Sequence, residues 1–163
     1  MKTETLFLLL AFCLMSSLNT FAQSSGNYKE VKAIRINTKL IPEFLKAPDI
    51  GAYTIDNKGV LRPDKGYHIL FFQDSLKLLL KPIKQKSYTL EISHYDEIEL
   101  PGGHIAACMC WPDPNDNCMF VSEGNPNKFK CKGGCSCGVG ILFDVNKSIP
   151  EIQTPDGNWN SPR

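Results

Sequence analysis

The sequence predicts a mainly β protein: a small antiparallel sandwich or partly open barrel with one short N-terminal helix and a cystine-rich C-terminal hairpin. Three observations carry that expectation. Apolar and polar residues alternate with period two in several stretches, as in strands with one buried and one wet face. Short turns separate those stretches, with no long helical pattern between them. Six of the seven cysteines lie between Cys108 and Cys137, the mark of a disulfide framework in an exported chain.

The N-terminus supplies the export signal. A short charged start (Met1–Glu4) leads into an apolar run from Leu6 to Met15, and Thr20-Phe21-Ala22 then offers small residues at the two positions a signal peptidase reads. The run is too short to span a bilayer, so residues 1–22 read as a secretory signal peptide. Bulky Phe12 before Cys13 argues against a lipoprotein, and Cys13 leaves with the signal. The mature chain keeps an even number of cysteines and contains no apolar stretch long enough to cross a membrane. Its destination is secreted or periplasmic. The formal net charge is +1, and losing Lys2 together with Glu4 does not change it. Such a balance attracts neither nucleic acid nor an anionic membrane.

The elements follow in order. Residues 23–27 form a flexible start, and residues 28–149 one β-rich domain. Tyr28 to Asn37 reads as a first strand. Thr38 to Lys46 has near-helical apolar spacing, with Pro42 early and Pro48 beyond, which predicts a short helix. Asn57-Lys58-Gly59 is the expected hairpin tip between Tyr53–Ile55 and Val60-Leu61. Tyr67 to Phe72, apolar on both faces, reads as an interior strand. Gln73-Asp74-Ser75 turns the chain, and Leu76, Leu78 and Leu80 then share a face against Lys77 and Lys81. Residues 87–93 and 96–100 alternate in the same way. The segment 150–163, rich in Pro, Asn and Asp, reads as a disordered tail carrying Trp159.

Residues 104–137 form the Cys-rich subregion. In extended backbone His104, Ala106, Cys108 and Cys110 share one face, and Cys135, Cys137, Val139, Ile141 and Phe143 share another. Cys131 falls in line with Phe129, opposite Lys128, Lys130 and Lys132. One antiparallel register accommodates both Cys108–Cys137 and Cys110–Cys135, and a slightly offset one accommodates Cys118–Cys131. These are the pairings the spacing suggests. Each disulfide would contribute about 2–4 kcal/mol.

The resulting expectation is a binding or structural module for an unidentified protein or small-molecule ligand, with no cofactor. The excursion between the stapled strands is the candidate binding loop, with Trp111, Asp113, Asn115, Asp116, Phe120 and Lys130 as contacts. The competing reading uses the cysteines directly. Cys108, Cys110, Cys135 and Cys137, with His104, would bind Zn or Cu or do thiol redox chemistry, although neither Cys-x-Cys pair has the usual zinc spacing. An enzyme using carboxylates or histidines ranks third. No motif couples His68, His94 or His104 to a nucleophile, and Asp113 to Gly124 fails the calcium-loop register at its sixth and twelfth positions. Asn146-Lys147-Ser148 fits a glycosylation acceptor.

Overall fold

A computed structural model of the chain describes residues 27–84, 96–110, 118–133 and 137–162. The signal-peptide reading of residues 1–22 and the strand expected over 87–93 lie outside these residues. The described chain is mainly β with antiparallel sheets and short helical turns, and no sheet closes into a barrel.

The first predicted strand is two strands. β1 (Tyr28–Val31) and β2 (Ala33–Arg35) are separated by Lys32 and enter different sheets. Val31, Ala33 and Ile34 are all buried, a run that breaks simple alternation because the chain changes sheets in the middle of it. Asn37 then accepts a hydrogen bond from the Lys39 amide and opens a 3₁₀ turn, Thr38–Leu40, which continues into α1 (Ile41–Phe44). Pro42 sits in the first turn of α1, where its missing N–H costs nothing. Phe44 is the residue this helix buries.

β3 (Tyr53–Ile55) and β4 (Val60–Pro63) form the expected hairpin. Gly59 has φ +75°, and the Asp56 carboxylate accepts from the amides of Lys58 and Val60 at 2.9 and 3.0 Å. β5 (Tyr67–Phe72) is interior, as its composition indicated. It pairs with β6 (Lys77–Pro82) across a turn in which Leu76 takes φ +50°. Leu76 thus belongs to the turn rather than the strand, though it still packs on the core.

β7 (Glu97–Leu100), β8 (His104–Met109) and β11 (Gly138–Asp144) complete a six-stranded sheet in the order β1-β5-β6-β11-β8-β7. Between β8 and β11 a separate two-stranded sheet pairs β9 (Cys118–Ser122) with β10 (Phe129–Gly133). From β11 the chain passes through α2 (Val145–Ser148), where Asp144 caps the helix by accepting from the Asn146 amide. It then enters β12 (Glu151–Gln153) and β13 (Trp159–Asn160). These last strands extend a five-stranded sheet ordered β13-β12-β2-β4-β3.

The expectation of a disordered tail is therefore corrected. Ile152 pairs with Ile34 and is 6% exposed. Gly157, at φ +94°, closes the hairpin, and Trp159 lies 4.4 Å from the Arg35 guanidinium. The same Arg35 pairs with Glu151. Pro-Asp-Gly-Asn is the tip of a hairpin, and the five-stranded sheet runs on to Asn160.

One core serves both large sheets. Ile34, Leu61 and Ile152 from the five-stranded sheet join Ile69, Phe71, Leu78, Leu80, Ile141 and Phe143 from the six-stranded one. The outer face of the six-stranded sheet is also partly apolar: Leu70, Phe72 and Leu79 form a second cluster there. Lys81 follows Leu79 on that face and is fully buried, not solvated as its alternation suggested. Burial pushes its ammonium down to about 8. Directly across the β5–β6 pair stands His68, whose Nε2 has no hydrogen-bond partner. Burial, and then the Lys81 charge, lower its pKa.

Two substitutions test this architecture. Ile152→Ala should destabilise the protein by about 2–4 kcal/mol in urea unfolding, whereas a disordered tail would make the change silent. A Cβ on Gly138 would fall 2.3 Å from Cγ of Pro82, a ring that cannot swing away. Gly138→Ala should therefore cost about 1–3 kcal/mol with an unchanged m-value.

Candidate functional site

The site is the cystine cluster between the β9–β10 hairpin and the ends of β8 and β11. β8 places His104, Ala106 and Cys108 on the core face. The hairpin turns Phe120, Phe129 and Cys131 toward the same core. Its outward face carries Met119, Val121, Lys130 and Lys132, which oppose each other in the ladder. The alternation of lysines against Phe129 and Cys131 thus indicated the correct inward side.

The expected pairings are corrected. Cys108 bonds Cys131, with Cα atoms 5.5 Å apart, and Cys118 bonds Cys137, at 5.9 Å. Both separations fit a disulfide. Cys110 is also disulfide-bonded. Cys135, its expected partner, lies outside the described residues. The reason for the change is register. β8 and β11 pair so that Val139, not Cys137, stands opposite Cys108. β9 and β10 pair so that Gly133, not Cys131, stands opposite Cys118. Each ladder is displaced by two residues from the alignment that cysteine spacing suggested. A two-residue slip keeps every side chain on its face but changes what it opposes. The described disulfides therefore run from the hairpin to the sheet, not across paired strands.

Around these bonds the sulfurs are crowded. The Sγ atoms of Cys108, Cys118 and Cys131 lie within 4.8 Å of one another, and so do those of Cys110, Cys118 and Cys137. Cys118 belongs to both groups. It is buried, and Cys108 with it, whereas Cys110, Cys131 and Cys137 are partly exposed. Cys118 was not among the ligands expected for metal, and its central place depends on the hairpin folding back, which spacing alone does not show.

Of the expected metal donors, Cys135 lies outside the described residues. Cys108 and Cys137 are held in different disulfides, so neither is a thiolate ligand. His104 shares a hydrogen bond with the buried Ser148 and packs 5.1 Å from the Phe143 ring. Burial holds its pKa down to about 4, with Asp144 opposing and Lys147 reinforcing the shift.

The expected binding contacts divide. Trp111, Asp113, Asn115 and Asp116 lie outside the described residues. Phe120 is not a free contact: it packs on the core, and its amide donates to the Asp96 carboxylate at 2.6 Å. The Asp96 carbonyl also accepts from the Cys108 amide at 3.2 Å, which makes Asp96 a tie between β8 and β9. Lys130 is exposed and pairs with Glu123. The hairpin's far end is held by Asp49, whose amide donates to the Asn127 carbonyl and whose carbonyl accepts from the Phe129 amide. A separate open cleft of about 370 Å³, lined by Glu43, Lys46, Glu99 and Gly102 among others, lies between α1 and the β7–β8 turn. No sequence pattern announced it, because its walls are more than fifty residues apart.

Comparison with protein-family models, curated proteins and solved structures returned no match.

His104 makes a pH prediction. Its unfolded-state pKa is near 6.5 and its folded value about 4, so below pH 6.5 the unfolded chain binds more protons than the native one. Stability should therefore fall as pH drops from about 6.5 to about 4, by on the order of 3 kcal/mol from this group. The imidazole carbon shifts of His104 should remain those of a neutral ring at pH 5.5. A charged ring at that pH would contradict the buried pairing with Ser148.

Proposed function

We propose that the protein is an extracytoplasmic, disulfide-stabilised β module of sandwich type that acts by binding through the loop between β8 and β9 and the adjoining outward face of the β9–β10 hairpin. The observation that carries this reading is covalent fixation on both sides of that loop. Cys110 on its N-terminal side is disulfide-bonded, and Cys118 on its C-terminal side is joined to Cys137. The two cysteines that flank residues 111–117 in the sequence are thereby held, and fixed flanks lower the ordering cost of recognition. Their composition, Trp-Pro-Asp-Pro-Asn-Asp-Asn, offers one aromatic anchor among polar groups. Met119, 50% exposed, with Val121, Lys130 and Lys132, extends this surface along the hairpin. The partner class that fits is a neutral or mildly acidic protein or glycan surface with an aromatic-accepting recess.

Export and binding are tested separately. The chain recovered from the periplasm or medium should begin at Gln23, show no alkylation without reductant, and weigh about six hydrogens less than its reduced form. Six alkylatable thiols would remove the reading. On an array of immobilised peptides and glycans, Trp111→Ala should weaken the strongest binders about tenfold or more while thermal unfolding stays unchanged. Equal binding by the variant would take the loop out of the recognition surface.

A further inference from the structure

Cys118 of one described cystine lies within 4.8 Å of both sulfurs of the other. A thiolate attacks a disulfide only when it can reach one of its sulfurs. Here Cys118 Sγ lies within 4.8 Å of four other sulfurs, those of Cys108, Cys131, Cys110 and Cys137. Only Cys137 is bonded to it. Any thiol released from the Cys108–Cys131 bond therefore appears beside the Cys118–Cys137 bond.

We propose that the cluster is a thiol–disulfide exchange site with Cys118 as its hub, through which an external dithiol releases the two described disulfide ties of the β9–β10 hairpin. The dithiol attacks the partly exposed Cys131 sulfur, breaking its bond to Cys108. Its second thiol then closes the dithiol into a cyclic disulfide and leaves Cys108 and Cys131 as thiols. The dithiol is oxidised by two electrons and one protein disulfide is reduced. The Cys131 thiolate next attacks Cys118 Sγ. A Cys118–Cys131 bond forms, the Cys118–Cys137 bond breaks, and the electron pair leaves on Cys137, which takes up the proton that Cys131 gave up. This second step is redox-neutral.

The sulfur positions bring that product within reach, because Cys131 Sγ lies within 4.8 Å of Cys118 Sγ. Cys118 opposes Gly133, and Cys131 is two residues from Gly133 on the same inward face, so the new bond spans a diagonal pair within the hairpin. Before exchange two bonds join the hairpin to β8 and to the residue before β11. Afterwards both are gone, although only one disulfide has been reduced. One equivalent of reductant thus removes both of these ties, while the disulfide at Cys110 is left as it was. The structural reading of the cystines does not require this chemistry.

Partial reduction distinguishes the outcomes. Native protein at about pH 8 is treated with one equivalent of dithiothreitol, quenched with N-ethylmaleimide, and mapped by peptide mass. The expected product carries the label on Cys108 and Cys137 and contains a Cys118–Cys131 cross-link. Label on Cys108 and Cys131, with Cys118–Cys137 intact, would overturn the proposal, as would an untreated map lacking either native bond. Cys108→Ser isolates the second step without reductant, since Cys131 then starts as a thiol. Label at Cys137 supports exchange, and label remaining at Cys131 refutes it. If that variant fails to fold, the wild-type map decides alone.

Discussion

A two-stranded antiparallel ribbon is marginally stable in water, and β9–β10 has no third strand on either edge among the described residues. It keeps its place because other forces dock it. Two disulfides tie it to β8 and to the approach of β11. Phe120 and Phe129 bury part of their surface on the main core. Asp96 and Asp49 receive or supply hydrogen bonds at its two ends. The cystine contribution, about 2–4 kcal/mol each, is a large share of the ~5–15 kcal/mol that keeps a domain folded. The geometry of the surface the hairpin presents therefore depends on the oxidation state of a few sulfurs.

The rest of the fold is arranged so that those sulfurs have a firm anchor. β11 is central to the six-stranded sheet, paired with β6 on one side and β8 on the other. Glycine at 138 and 140 lets Pro82 and Met109 lie against its backbone. The chain crosses between sheets at Lys32 and again through α2, so the two sheets are linked more than once and enclose one core.

Buried polar groups mark where the fold departs from a purely apolar solution. His104 and Ser148 satisfy each other inside the core at the cost of keeping the imidazole neutral. Lys81 and His68 sit opposite each other on the outer face, where burial lowers the pKa of both. Neither pair helps to hold the hairpin.

Local chemistry alone settled which way side chains point. The alternation along 138–144 put Val139, Ile141 and Phe143 inward, the lysines placed Cys131 on the inner side, and Asn57-Lys58-Gly59 marked a hairpin. Period-two geometry and turn preference are properties of the backbone and need no partner. Register and partner choice were different. The two-residue displacement that redirected the disulfides, the recruitment of Ile152 and Trp159 into a sheet, the burial of Lys81 and the meeting of His104 with Ser148 all join segments far apart in the chain. A slip of two residues leaves every face unchanged, so no local pattern can detect it. Only packing of the whole core selects one register over another, and that selection made Cys118 the centre of the cluster.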